Sequence, residues 1–348
     1  NLFAQSGNGS KWYWNNPKTR ASGYDEFKKL WGSRENEDNW RRSEKTFTPN
    51  FKEEGETEEV VVSDTIIELV DTLTVDYLVA KLQRKKVVFD SHELFSEIPE
   101  LVHRPFVKKI WTLLENWMLP NLKNTYTVCD SIALYYANKY ASKFKVIRNL
   151  PIYKNSQFRG EFLFNTSEKK VILYQGAVNV GRGLELMIDT LAFLPNCIFV
   201  VIGTGDILKE LKTLIINKNL GDRIKLLGQI SPQKLHTITP LAHLGISLEE
   251  DLGLNYRFAL PNKIFDYIQA GTPLLVSNRK IIKEIVECNN IGKVIETHNP
   301  KEIATCISSI FNNEEQYNKW AKNLVKTADI YNWENESEHL KNIYNNLK

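Results

Sequence analysis

The stretch GISLEEDLGLNYRFALPNKIFDYIQAGTPLLVS, residues 245–277, decides the fold of the chain. Leu244, Ile246 and Leu248 alternate with small residues, which is typical of a β-strand. The apolar run 273–276 is typical of a buried parallel strand. Between the two, apolar residues recur at helical spacing, and a helix-terminating glycine follows them. The helical residues are Ile264, Tyr267 and Ile268, and the glycine is Gly271. The order strand, helix, strand predicts a βαβ unit.

The start of this helix predicts an anion site. Pro261 suits a first helical turn, where its missing N–H is no loss. Asn262 and Lys263 would then lie at the helix N-terminus, beside free backbone amides and the positive end of the dipole. One turn further in, Asp266 could reach the hydroxyls of a sugar that is attached to a bound phosphate.

At residues 260–273, LPNKIFDYIQAGTP, the sequence resembles the donor-site signature LPNK-x-F-[DE]-Y-x-x-A-G-x-P. That signature belongs to a branch of the family 4 glycosyltransferases (glycosyl transferases group 1), which are GT-B enzymes that use nucleotide sugars. The resemblance implies an α/β fold with two Rossmann-like domains facing across a cleft. A second interpretation is an ordinary βαβ unit in which Lys263 is a solvated first-turn residue.

Composition narrows the class of protein. With 348 residues, of which 42% are hydrophobic and 25% charged, the chain predicts two globular domains. A net charge of +3 argues against a nucleic-acid partner. The cysteines lie far apart without metal or redox spacing, which favours a reducing compartment. They are Cys129, Cys197, Cys288 and Cys306. Without an apolar run long enough to span a bilayer or a signal-peptide pattern, we expect a cytoplasmic protein, or one on the inner face of the membrane.

Residues 1–59 differ from the rest of the chain. Half of the eight tryptophans lie here among polar residues, without helical or two-fold apolar periodicity. The acidic run 51–59 is typical of a linker. We expect an atypical, poorly ordered segment.

Residues 60–165 predict an incomplete acceptor-side domain. The runs 60–62 and 65–67 predict strands, residues 75–81 a helix, and 86–89 a buried strand that leads into His92. Residues 71–101 resemble the N-terminal domain of the same transferases, in which the strand-end His faces the transferred sugar. The usual opening strands and glycine-rich loop of that domain are not recognisable in this sequence. A helix-capping or core role is the other interpretation of His92.

Residues 104–124 predict an amphipathic helix with tryptophans and early lysines. Two interpretations fit. The apolar stripe forms a core face, or the helix makes a peripheral membrane contact.

Residues 166–313 predict the nucleotide-sugar-binding domain. A glycine-rich turn after the strand 171–174 contains Gly176 and places Arg182 at a helix N-terminus. By resemblance, Arg182 contacts the donor diphosphate. Further donor-binding residues are predicted at the ends of the next two strands. They are Gly203 and Gly205 after the central strand, and Gln229, which by resemblance lies near the base. Residues 314–348 predict helices that resemble those crossing back to the first domain.

The resemblance implies a retaining glycosyltransferase for polysaccharide or glycolipid assembly, with a nucleotide sugar and a glycan or lipid-linked acceptor as substrates. We expect no cofactor and no metal. His92 would orient the donor sugar, and Glu249 or Glu250 would touch it. The family spacing is Glu-x7-Glu, whereas the residue eight before Asp266 is Phe258, so the acid that plays the first role is open.

Two other functions remain open. A truncated or fused relative would bind nucleotide sugar without transferring it. The second is a GT-B-shaped sugar-nucleotide epimerase. It would need more acids and histidines in the cleft than this chain, with six His, offers.

Overall fold

The computed structural model describes residues 68–70, 86–98, 101, 104–153, 160–166 and 168–347, with only the backbone of 68–70. The segment 1–59, the strands predicted at 60–62 and 65–67, and the helix predicted at 75–81 lie outside these ranges.

In the described part of the first domain, four parallel strands lie side by side in the order β1-β2-β3-β4. They are β1 (Glu68–Val70), β2 (Val87–Ser91), β3 (Asn124–Thr127) and β4 (Lys145–Val146). Two helices connect the last three strands, α1 (Pro105–Met118) and α2 (Asp130–Tyr140). Parallel neighbours need such crossover connections, so this half is an α/β layer structure.

The second domain contains six parallel strands in the order β10-β9-β8-β5-β6-β7. The strands are β5 (Lys170–Gln175), β6 (Cys197–Ile202), β7 (Ile224–Gly228), β8 (Leu244–Ser247), β9 (Leu274–Ser277) and β10 (Gly292–Ile295). The helices between them are α3 (Leu184–Leu191), α4 (Leu208–Asn217), α5 (Pro232–Ile238), α6 (Leu254–Phe258), α7 (Lys263–Ala270) and α8 (Lys280–Asn289). This is a doubly wound sheet whose order reverses between β5 and β8, and ligands bind outside the carboxyl ends of such strands.

Burial explains why these segments form strands. Strands β6, β8 and β9 are buried along their whole length, which is the pattern of a parallel sheet covered by helices on both faces. Ile264, Tyr267 and Ile268 of α7 are completely buried, which confirms the predicted helical face.

The start and end of α7 fix the residues before the cleft. Gly271 ends the helix in the left-handed conformation at φ 67°, as predicted. The sequence predicts Pro261 in the first turn, whereas in the structure it precedes the N-cap, Asn262. The Pro261 carbonyl accepts a hydrogen bond from the amide of Ile264 at 3.1 Å, so the proline closes the turn that leads into the helix.

The C-terminal helices are α9 (Pro300–Asn312), α10 (Glu314–Ala328) and α11 (Trp333–Asn345). Ile343 of α11 and Leu347 pack against Val88, Tyr126 and Ile147 of the first domain. The chain thus returns to the first sheet after completing the second. Short 3-10 turns lie at Phe95–Glu97, Leu119–Asn121 and Thr239–Leu241.

Candidate functional site

A cavity of about 520 Å³ lies at the carboxyl ends of both sheets. From the first domain it is lined by residues that follow β2 and by residues of the turn after β4. From the second domain it is lined by the turn after β5 and by the segment that leads into α7. The principal polar lining residues are His92, Glu93, Asn149, Gln175, Asn179, Arg182, Asn255, Asn262, Lys263 and Asp266.

A buried ion pair forms the floor of the second-domain side. Lys263 Nζ donates to Glu249 Oε1 at 2.7 Å, and the side chains are 7% and 2% exposed. Ser247 Oγ donates to the other carboxylate oxygen at 2.6 Å. Burial alone would raise the pKa of the Glu249 carboxyl, but the Lys263 ammonium and the two hydrogen bonds hold that pKa below its usual range. Glu249 is therefore ionised, and its charge opposes the lowering of the Lys263 pKa that burial causes.

The Lys263 ammonium has donor capacity left after pairing with Glu249. An ammonium carries three N–H donors. One is used by Glu249, and Nζ lies 4.1 Å from the centroid of the Tyr174 ring, within cation–π distance. Lys263 also lines the cavity. Its remaining donor capacity suits an anion in the cavity.

Arg182 is a second cation at the same wall. It directly precedes Gly183, the N-cap of α3, as the sequence predicted. Its guanidinium carbon lies 5.3 Å from the centroid of the Tyr256 ring. Its Nε is buried and has no hydrogen-bond partner among the described residues. The charge of Arg182 also lowers the pKa of Lys263, after the larger effect of burial. Two neighbouring cations with unused donors favour a doubly charged or larger anion.

Asp266 lies one turn into α7, at the cavity. Gln175 Nε2 donates to Asp266 Oδ2 at 2.8 Å, and Thr239 Oγ1 donates to Gln175 Oε1 at 2.8 Å. Burial raises the pKa of Asp266 to about 6, and the hydrogen bond from Gln175 limits that shift. Above that pH the carboxylate is ionised and can accept hydrogen bonds from sugar hydroxyls.

On the opposite wall, His92 lies directly after β2 with its side chain 48% exposed. Its Nε2 is 2.9 Å from Oδ2 of the buried Asp90, which favours a proton on Nε2. Its Nδ1 then accepts from Asn149 Nδ2 at 3.3 Å. His92 is thus a held ring at the cavity wall, neither a helix cap nor a buried core residue.

Several predicted site residues are not among those that line the cavity. A Cβ on Gly203 would lie 1.8 Å from the Gly176 carbonyl oxygen, and one on Gly205 would lie 2.4 Å from the Val178 carbonyl oxygen. These glycines therefore let the turn after β6 pack against the turn after β5, which lines the cavity through Gly176. Three other predicted site residues also do not line the cavity. Gln229 is exposed, Glu249 is paired with Lys263, and the amide of Glu250 donates to the Gly181 carbonyl at 2.9 Å.

Several residues of the cavity were not predicted as site residues, chiefly Glu93, Asn149, Tyr174, Gln175, Asn255 and Tyr256. For Asn255 and Tyr256, the sequence did contain a signal. The segment between Glu250 and Pro261 is unusually long, and it forms helix α6 at the cavity wall. Over the residues that the structure describes, no group of three or more His, Cys, Asp or Glu is placed to hold a metal ion.

The family model described as Glycosyl transferases group 1 matches residues 158–327. This range contains Arg182, Lys263 and Asp266 and excludes His92. The resemblance predicted from LPNKIFDYIQAGTP is confirmed by this match.

Known proteins match the chain over different lengths. The alpha-D-kanosaminyltransferase of Streptomyces kanamyceticus is 22% identical over 191 residues, which cover 53% of this chain and 47% of that protein. The chain thus spans about half the length of the curated relatives it matches.

Two solved structures share the architecture. Alr3699/HepE of Anabaena, in complex with UDP, has a TM-score of 0.61 at 16% identity, covering 79% of this chain and 76% of its own. The sucrose-phosphate synthase of Thermosynechococcus elongatus has a TM-score of 0.65 at 17% identity, covering 80% and 73%. The predicted GT-B fold is confirmed.

Loss of one partner of the Lys263–Glu249 ion pair should destabilise the fold. Lys263→Met would leave the Glu249 carboxylate buried without its cation, and breaking a buried pair in this way costs roughly 3–5 kcal/mol. We expect a correspondingly lower free energy of unfolding in denaturant titrations. Adding Glu249→Gln removes the stranded charge, so the double variant should regain most of the loss. Additive losses from the two substitutions would contradict the coupling.

Proposed function

We propose that this chain, whose residues 158–327 match the group 1 glycosyltransferases, transfers a sugar from a nucleotide-diphosphate donor with retention of anomeric configuration. The observation that carries the proposal is the pair of neighbouring cations, Arg182 and Lys263, with donors left for an anion at the carboxyl end of the second sheet. The acceptor is a glycan or a lipid-linked saccharide, and the enzyme works in the cytoplasm or at the inner face of the membrane.

The diphosphate would lie between Arg182, Lys263 and the amides at the start of α7. These groups favour negative charge there, and such charge grows on the diphosphate as the bond to the sugar breaks. Because the donors are held by burial and by Tyr174, Tyr256 and Glu249, they need little rearrangement during the reaction. Positive charge from the protein thus takes the place that a metal ion fills in other transferases, and no cofactor is needed.

The remaining donor contacts follow from the position of the diphosphate. Asp266 would accept from the ribose hydroxyls, and His92 would line the opposite side of the transferred sugar. Glu249 would act through Lys263, because both of its carboxylate oxygens are engaged by the protein. Glu250 lies beside the turn that carries Arg182, through its amide on the Gly181 carbonyl, and would support that turn from outside the cavity. UDP is the first nucleotide to test, since the Anabaena neighbour was crystallised with UDP and with UDP-glucose.

Nucleotide binding is the direct test of the donor site. Arg182→Met, and separately Lys263→Met with Glu249→Gln, each remove a charged hydrogen bond worth roughly 1.5–3 kcal/mol. We expect the Kd for UDP in isothermal titration calorimetry to rise tenfold or more in both. Lys212→Met, which removes the same charge from an exposed position on α4, should leave Kd unchanged. Equal Kd values in all four proteins would reject the site.

Chelation tests the proposed source of positive charge. UDP binding and release of UDP from UDP-glucose should continue at the same rate in EDTA, because Arg182 and Lys263 supply the charge. Loss of turnover that is restored by Mg²⁺ or Mn²⁺ would show that a metal carries the diphosphate. Nucleotide binding without turnover on any acceptor would instead favour the binding-only relative.

We also propose that α1 contacts a membrane surface. Trp111 and Met118 face the protein, as the core interpretation predicted. The other face is a stripe at helical spacing, which we call the α1 stripe: Phe106 (75% exposed), Ile110 (44%), Leu113 (59%) and Trp117 (48%). Exposed Arg104 and Lys109 flank it and suit anionic headgroups. Among the described residues, no helix has the length and apolar character required to cross a bilayer.

Vesicle binding tests the α1 stripe. Replacing Phe106 and Trp117 by Ser removes two side chains whose burial is worth roughly 1.5–3 kcal/mol each. In co-sedimentation with vesicles of anionic phospholipid, we expect the bound fraction of the double variant to fall at least tenfold. Leu134→Ser is the control, since Leu134 is 59% exposed on α2, outside the stripe. Equal binding of all three proteins, or none by the unmodified chain, would remove the proposal.

A further inference from the structure

The segment 251–260, here called the strap, joins β8 to the turn before α7 and contains the short helix α6. It is longer than the family spacing between the two acids allows. Adjacent residues of the strap contact different domains of the described chain.

On the second-domain side, the strap is fixed by charge and by an aromatic ring. Asp251 accepts from Arg257 Nε at 2.8 Å and lies 3.3 Å from Arg279 Nη1. The Tyr256 hydroxyl donates to the Val180 carbonyl at 3.3 Å. The ring of Tyr256 lies against Arg182. This end of the strap therefore belongs to the proposed diphosphate site.

On the first-domain side, the contacts are made chiefly by Asn255. Its Nδ2 donates to Glu93 Oε2 at 3.0 Å, and its Oδ1 accepts from the amide of Leu94 at 3.2 Å. A carboxamide can do both at once because it carries a donor and an acceptor. Cys129 Sγ also donates to the Phe258 carbonyl at 3.1 Å.

These contacts connect the two walls of the cavity through one short element, the strap. Glu93 and Leu94 directly follow His92 in the chain, so Asn255 holds the turn that carries His92. Its neighbour Tyr256 holds Arg182. Asn255 thus positions His92 on one wall of the cavity. The next residue, Tyr256, supports Arg182 on the other wall.

We propose that Asn255 is a positioning residue, which sets the distance between the His92 wall and the donor site by its paired hydrogen bonds to Glu93 and Leu94. The role in turnover rests on the proposed transferase function, whereas the contact itself does not. Loss of the contact would leave Arg182 and Lys263 in place but let the His92 turn move away. Turnover would fall while nucleotide affinity stayed the same.

A reversed hydrogen bond tests the role of Asn255. Asn255→Asp places a carboxylate against Glu93, and the repulsion moves the two side chains apart. The same movement takes the acceptor away from the Leu94 amide. Adding Glu93→Gln restores a donor, because the amide introduced by that substitution can donate to the new carboxylate. Glu93→Gln alone keeps an amide oxygen that accepts from Asn255, so it measures separately what loss of the Glu93 charge does to kcat.

We expect Asn255→Asp to lower kcat for sugar transfer from UDP-glucose by about tenfold to a hundredfold, the usual cost of a misplaced reacting group. The Kd for UDP should stay within about twofold of the unmodified value, and the double variant should recover most of kcat. Hydrogen–deuterium exchange at the Leu94 amide should rise in Asn255→Asp and return in the double variant.

Equal loss in the single and double variants, or unchanged exchange at Leu94 in Asn255→Asp, would overturn the proposal. If the unmodified chain neither binds UDP nor turns over UDP-glucose, the transferase function fails. The exchange result then still decides whether Asn255 holds the His92 turn.

Discussion

The burial of Lys263 is the constraint on which the rest of the site depends. An ammonium taken out of water is costly unless it is paired, and Glu249 supplies the pair at 2.7 Å. Glu249 in turn is held by Ser247, at the end of β8, so the end of one strand sets the charge at the start of helix α7. One carboxylate does not use all the donors of an ammonium, and Arg182 adds a second cation. The wall therefore presents N–H donors of two cations to the cavity.

The doubly wound sheet explains why these groups meet. The sheet order reverses between β5 and β8, and a crevice opens where neighbouring connections turn to opposite faces. Gln175 at the end of β5 and Glu249 after β8 flank that point and hold Asp266 and Lys263. The glycine contacts between Gly176 and Gly203 keep the adjoining turns close enough to leave the crevice open. The first domain adds His92 at the end of its own strand β2.

Local pattern was sufficient to predict the second domain and its cations. Ile264, Tyr267 and Ile268 repeat at helical spacing because one face of α7 is buried, and Lys263 follows from the position of the helix start. The role of Glu249 could not be read in this way, because its two partners are set by the packing of β8 against α7. Helix α6 has five residues, and its single apolar pair, Leu254 and Phe258, is too short a pattern to predict a helix. Long-range contacts through Asn255 and Tyr256 stabilise it. Residues 104–124 show the same limit, since a helical stripe does not reveal which face meets the core.

We propose that the two cations, Arg182 and Lys263, hold the diphosphate of a nucleotide sugar. A crystal structure of the protein with UDP tests it most directly. We expect diphosphate oxygens about 2.7–2.9 Å from Lys263 Nζ and from the Arg182 guanidinium, the usual length of a charged hydrogen bond, with the ribose beside Asp266. UDP bound elsewhere, or with its phosphates turned away from both cations, would contradict it.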